Sequence, residues 1–211
     1  MGNPPNPPPH PPPHPAPDGR LPRGTHGLTR EQVQTNQRER IMTAMVDLVG
    51  EKGYGATSVT EVAKRAGVSR KAFYELFANK QECFLATYDA LVAEGLDRVS
   101  AAARDAGGLK DELGLGLGAL FQRSIETPSI QRLVLLEVAA VGPAGMQRRE
   151  RLISSYEGMW RKNLGVPARP GIIPNPLLRA IVGGVLRVLY TRVQTGAQRK
   201  LPELIAALVR W

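Results

Sequence analysis

Four side chains within one short stretch have the chemistry of polyanion recognition: Ser69, Arg70, Lys71 and Tyr74. Guanidinium and ammonium groups bind phosphate oxygens and the acceptor edge of guanine, and hydroxyls reach backbone or base. They act together only when one exposed face of a rigid element presents them. Arg-Lys pairs are ordinarily just solvated, so the weight of this cluster rests on what surrounds it.

What surrounds it is SVTEVAKRAGVSRKAFYELFANK, running from Ser58 to Lys80. Ser58 and Glu61 have the S-x-x-E spacing of a capping box, so a helix starts here. Val59, Val62, Ala63 and Ala66 give that helix a narrow small-residue face against which a second helix packs closely. Gly67 ends it, because glycine takes the left-handed conformation of a tight turn without a Cβ clash. Val68 plugs the core beneath the turn and Ser69 caps a second short helix. Phe73, Leu76 and Phe77 then point inward, leaving Arg70, Lys71 and Tyr74 outward. Asn79 and Glu82 form a second capping pair, with Lys80 in the first turn of the next helix, where its ammonium and the positive helix end suit one DNA phosphate.

Two short amphipathic helices joined by a glycine turn also occur in helical proteins that bind no nucleic acid. The longer stretch Gly53–Asp89, however, resembles the DNA-binding domain of TetR-family regulators. The resemblance lies in the Thr-Ser-Val start of the second helix, the Ala-Gly-Val-Ser turn, the Phe-Tyr-x-x-Phe helix and the Asn-Lys-x-Glu start of the fourth helix. It implies a recognition helix over Ser69–Phe77, with Thr57, Ser58 and Thr60 meeting DNA at the start of the second helix. It likewise implies that Ser69, Arg70, Lys71 and Tyr74 line the groove and that Lys80 holds backbone phosphate. Ala72 departs from the family, which often has threonine there; a hydroxyl contact is lost and only a thymine methyl remains in reach.

The rest of the chain fits an all-α protein. Aromatic residues make up only 5%, no stretch sustains period-two alternation, and helical periodicity recurs to the C-terminus. Ile41, Met45, Leu48 and Val49 form the apolar stripe of a helix over 31–52, after which Gly53 suits a left-handed C-cap. Further helices are expected at 80–104, 109–126, 129–141, 143–164, 176–194 and 202–210, separated by Gly-Gly, Thr-Pro, Gly-Pro and a proline-rich segment. Residues 1–27, centred on PPNPPPHPPPHPAP, are expected to be a disordered tail. The expected organisation is therefore a tail (1–27), a helix-turn-helix DNA-binding domain (28–80) and a helical effector-binding and dimerisation domain (81–211).

Beyond about Arg98 the resemblance covers layout only, and implies an effector domain. Phe121, Met146, Tyr156 and Trp160 are candidate pocket walls by side-chain type, against a default reading as plain core. Leu113-Gly-Leu-Gly-Leu-Gly-Ala119 lacks the spacing and the preceding strand of a nucleotide loop. Gly114 and Gly118 instead share a helix face and permit close packing. The helix with Ile181, Val182, Val185, Leu186, Val188 and Leu189 is apolar over more than one stripe, and with Gly183-Gly184 reads as a homodimer interface, in line with the four-helix dimer bundle that the resemblance implies.

Composition bounds the alternatives. A formal charge of +9 favours a polyanionic partner, since arginine and lysine gain affinity by displacing counterions from phosphates. Cys83 is the single cysteine, which excludes an intramolecular disulfide and fits a cytoplasmic location. No apolar run is long enough for a membrane span. His10, His14 and His26 all fall in the tail, and no metal-ligand cluster is visible, so neither catalysis nor a cofactor or metal is expected. The expectation is an operator-binding transcriptional regulator, a repressor released by an unknown small-molecule effector. A helical small-molecule carrier without operator specificity and a nonspecific basic architectural protein are the alternatives.

Overall fold

A capping box at Thr29 starts the first helix, its hydroxyl accepting from Gln32 N–H while the Gln32 side chain accepts from Thr29 N–H at 2.8 Å. The computed structural model describes residues 29–104, 106–107, 109–163, 175–201 and 203. The helices are α1 (Arg30–Lys52), α2 (Val59–Ala66), α3 (Arg70–Leu76), α4 (Lys80–Ala103), α5 (Leu109–Glu126), α6 (Pro128–Leu135), α7 (Pro143–Asn163) and α8 (Asn175–Gln194). Short 3₁₀ turns lie at Glu137–Val141 and Gln198–Lys200. The described residues contain no strand, so the chain is all-α as its periodicity predicts. The tail over 1–27 and the helix expected at 202–210 fall outside the described residues, apart from the isolated position 203.

One expected helix, over 129–141, is two elements. Val138 and Val141 are both buried and three residues apart, the period at which a 3₁₀ turn puts side chains on one side. Gly53 also differs from expectation: its φ of 85° is one that favours glycine, but ψ of 163° leads the chain away instead of closing a left-handed cap. Gly67, at φ 66° and ψ 34°, is the left-handed turn the sequence predicts.

Two buried clusters organise the molecule. The first joins Ile41, Met45 and Val49 of α1 to Val62, Phe73, Phe77, Phe84 and Tyr88, and takes in Leu133, Val138 and Val141 from the segment after α5. Packing around the helix-turn-helix thus extends well beyond residue 80. Gly50 allows the close approach of α1 to α6, since a Cβ there would lie 2.5 Å from Ser129 Cβ. The second cluster unites α4, α5, α7 and α8 through residues such as Val99, Phe121, Leu152, Trp160, Leu186 and Leu189. In α5 Gly116 permits close packing: a Cβ there would sit 2.7 Å from the Trp160 ring.

Candidate functional site

The helix-turn-helix is fixed from both ends. Ser58 Oγ accepts from Glu61 N–H at 3.3 Å while the Glu61 carboxylate accepts from Ser58 N–H at 3.0 Å. Lys52 and the Ser58 hydroxyl also donate to that carboxylate, and together they hold Glu61 down at about 2, far below its usual range. Ser69 caps α3 by accepting from Ala72 N–H at 3.0 Å. Phe73 and Phe77 are buried beneath the helix, and Phe77 also carries the Arg38 guanidinium on its face.

The outer face of α3 then presents Arg70, Lys71 and Tyr74, the last 48% exposed with its ring edge-on to Phe73. Neither Arg70 nor Lys71 makes an ion pair among the described residues, whereas nearby Lys52 and Arg65 are bound to Glu61 and Glu51. Ser58, Thr60 and Ser69 are exposed on the same unit. Two uncompensated cations on a rigid, capped helix of seven residues, with hydroxyls beside them, are equipped for phosphate and base-edge contacts.

Two expected contacts look different in the structure. The Thr57 side chain is 2% exposed and its hydroxyl donates to Gly53 O at 2.8 Å, so it faces inward and offers DNA no side-chain contact. Lys80 is half-buried: its ammonium donates to Tyr54 O at 3.0 Å and Thr57 O at 2.9 Å and lies 4.1 Å from the Tyr54 ring centre. Desolvation there pushes its pKa down. Two of the three ammonium protons are thus engaged in holding the α1–α2 loop. Asn79 caps α4 by accepting from Glu82 N–H, but the Glu82 carboxylate reaches back to Ala78 N–H instead of to the cap residue.

Nothing in residue type or spacing marks Glu137 beforehand. From the 3₁₀ turn after α6 it accepts Tyr54 N–H at 2.9 Å and Arg132 Nε at 3.2 Å, bracing the loop that leads into α2. A Cβ on Gly53 would come within 3.1 Å of that carboxylate.

In the second half, a small cavity of about 20 Å³ opens among α4, α5, α6, α7 and α8. Tyr156 lines it; Phe121 and Trp160 are buried in the same core without lining it. Met146 is 46% exposed near the start of α7, where the apolar stripe has not yet turned inward, and the structure removes it from the candidate pocket walls. Polar residues missed by type are also there: Arg123 and Gln131, 4% and 5% exposed, line the cavity with Tyr156. Arg123 is held bidentately by Glu94, at 2.6 and 3.2 Å. On α8, Val182, Leu186, Leu189 and Val193 face the core, while Ile181 is 47% exposed and Val185 and Val188 are half-buried. No helix among the described residues is long and apolar enough to cross a membrane.

Residues 41–87 match the family described as bacterial regulatory proteins, tetR family. The chain is similar to an uncharacterized HTH-type transcriptional regulator of Bacillus subtilis, YerO, at 24% identity over 194 residues, which is 82% of this chain and 66% of that protein. It is also similar to the fatty acid metabolism regulator protein of the same organism, at 26% identity over 117 residues, 56% of this chain and 60% of that protein. The chain spans slightly less than two thirds of the length of these curated relatives. Among solved structures it resembles the fatty acid degradation regulator FadR of Bacillus halodurans, with a TM-score of 0.71 and 16% identity over 82% of this chain and 93% of that one. FadR of Bacillus subtilis in complex with stearoyl-CoA gives a TM-score of 0.69 and 18% identity over 81% of this chain and 95% of that one. At such identities the likeness shows the fold.

Proposed function

Because residues 41–87 match the model of bacterial regulatory proteins, tetR family, we propose that the chain is an operator-binding repressor that works as a homodimer and is released from DNA by a small-molecule effector. The observation that carries the DNA reading is the pair of uncompensated cations Arg70 and Lys71 on the exposed face of α3, at the centre of a helix-turn-helix capped at Ser58 and Ser69. In this reading Arg70, Lys71 and Tyr74 lie in the major groove, with Ser58, Thr60 and Ser69 on adjoining phosphates. Lys80 and the Thr57 backbone set the position of α2, and the remaining ammonium proton of Lys80 is available to a phosphate.

The second stripe of α8, Ile181, Val185 and Val188 with Gly184 between, supports the dimer. A Cβ added at Gly183 or Gly184 meets nothing within 4 Å in a single copy, which leaves the approach of another helix open. The effector acts in the second half, around the interior cavity. Its apolar surroundings favour an apolar or weakly polar molecule, and the fatty-acid relative together with the stearoyl-CoA complex of a structural neighbour makes a long-chain acyl-CoA the first ligand to try.

Selecting bound fragments from random duplex DNA tests the reading. The expected product is a palindrome whose half-sites lie about one helical turn apart, as two-fold protein symmetry requires. Arg70→Ala and Lys71→Ala are expected to weaken binding to the selected duplex by about 1–3 kcal/mol and to blur its sequence preference. Recovery of unrelated sequences, or variants that bind as the parent does, would overturn it.

A further inference from the structure

We propose that the interior cavity of the second half is a recognition point for a neutral hydrogen-bond acceptor, the carbonyl oxygen of a ketone, ester or thioester, carried on an apolar chain. The proposal rests on the effector reading above and adds the chemistry of the ligand.

The cavity is lined by Leu91, Val92, Leu120, Val134, Leu152 and Leu186 among other apolar side chains, and its volume of about 20 Å³ accommodates one oxygen-sized atom. Into this apolar surround come Gln131 and Tyr156, 5% and 6% exposed. Neither the Gln131 amide nor the Tyr156 hydroxyl makes a hydrogen bond among the described residues. Tyr88, one turn before Leu91 and Val92 on α4, adds a fully buried hydroxyl without a partner, within electrostatic reach of Tyr156. A buried hydrogen-bonding group left unmatched costs about 1–3 kcal/mol, and native interiors carry few of them. Two polar side chains opening on one cavity without a protein partner, with the buried Tyr88 hydroxyl beside them, mark a place where another molecule completes the bonding.

Donors outnumber acceptors here, since the Gln131 amide sets two N–H groups beside one carbonyl oxygen and Arg123 has no acceptor at all. Burial pushes the Tyr156 hydroxyl up to about 12, so it keeps its proton at neutral pH. That calls for an acceptor. Neutrality follows from Glu94, whose carboxylate already holds Arg123 through both oxygens: an incoming carboxylate would face this one without gaining a free cation. The apolar walls call for a chain on the carbonyl. A chain larger than the cavity needs one wall to give way, and α5 is suited to do so. Its glycines at 114, 116 and 118 each lower helix propensity by about 1 kcal/mol relative to alanine.

Calorimetric titration of the full chain with 2-nonanone and with nonanoate tests the assignment. The ketone is expected to bind more tightly than the carboxylate, and Tyr156→Phe and Gln131→Met each to weaken the ketone about tenfold. Both variants should melt no lower than the parent, because neither polar group makes a hydrogen bond to another described residue, and this separates ligand recognition from a structural role. No ketone binding, tighter binding of nonanoate, or unchanged ketone affinity in both variants overturns the proposal. The selected operator duplex is titrated in the same samples. A ketone that binds as described while operator affinity stays unchanged would sink effector release but leave the site standing. Specific operator binding with no ketone binding would do the reverse.

Discussion

Single side chains here divide according to whether their polar atoms are answered. Thr57 and Lys80 have the residue types of DNA contacts, yet the first gives its hydroxyl to Gly53 O and the second gives two protons to carbonyls of the α1–α2 loop. Sequence conveys type and spacing, and it does not convey whether a hydroxyl at the end of a loop turns inward. Arg70 and Lys71 were legible because the exposed face of a short helix follows directly from the positions of Phe73 and Phe77. Tyr88 lies at the other extreme: it is 1% exposed, its hydroxyl has no partner, and burial holds its pKa well above the usual range. Tyr88→Phe keeps the ring and removes the unmatched group, so unfolding in denaturant is expected to become harder by about 1 kcal/mol. A loss of stability would mean that the hydroxyl has a partner after all.

At the scale of elements, most of the fold was readable because punctuation and periodicity agreed. The α5 boundaries, the left-handed Gly67 turn and the Ser58 and Ser69 caps all stand where the residues place them. The failures have a common cause in tertiary contact. The 3₁₀ turn after Leu135 buries Val138 and Val141, and the loop after Gly53 meets the Glu137 carboxylate from 83 residues away in sequence. Arg123 and Gln131 carried a weak signal: Gln131 shares the stripe of Val134, Leu135 and Val138, and a polar residue on an apolar stripe is a candidate interior group. The α2 cap gives a pH prediction. Glu61 is held at about 2 against an ordinary 4.5, so its contribution is complete above that ordinary value and disappears as the pH falls towards the lower one. Amide exchange in α2 should therefore quicken between pH about 4.5 and 2, whereas Glu61→Gln should already exchange fast and show no such step. An acid-induced step of the same size in the variant would assign the change to other carboxylates.

For the molecule as a whole, the question is how an event in the second half reaches α3. The α4 helix is continuous from Lys80, which follows α3, to Ala103 in the second core, and it is the connection that sequence alone suggests. The structure adds another. Leu133, Val138 and Val141 belong to the first core, Ser129 packs against Gly50 of α1, and Glu137 takes the Tyr54 N–H. The loop launching α2 is therefore held on one side by Lys80 of α4 and on the other by Glu137 of the segment after α6. A shift in either element moves the start of α2, and through the Gly67 turn it moves α3, whose spacing from the second copy's α3 would decide operator fit in the proposed dimer. Such a double attachment should make the two halves unfold together. Scanning calorimetry of the parent is expected to show one transition. Glu137→Ala leaves Tyr54 N–H and Arg132 without their acceptor, at a cost of about 1–3 kcal/mol. In this variant the helix-turn-helix half is expected to melt first, as a separate low-temperature transition, with operator affinity reduced even though no residue of α3 has changed. A single transition at the parent's temperature, with operator affinity intact, would show that Glu137 braces nothing and that α4 alone connects the halves.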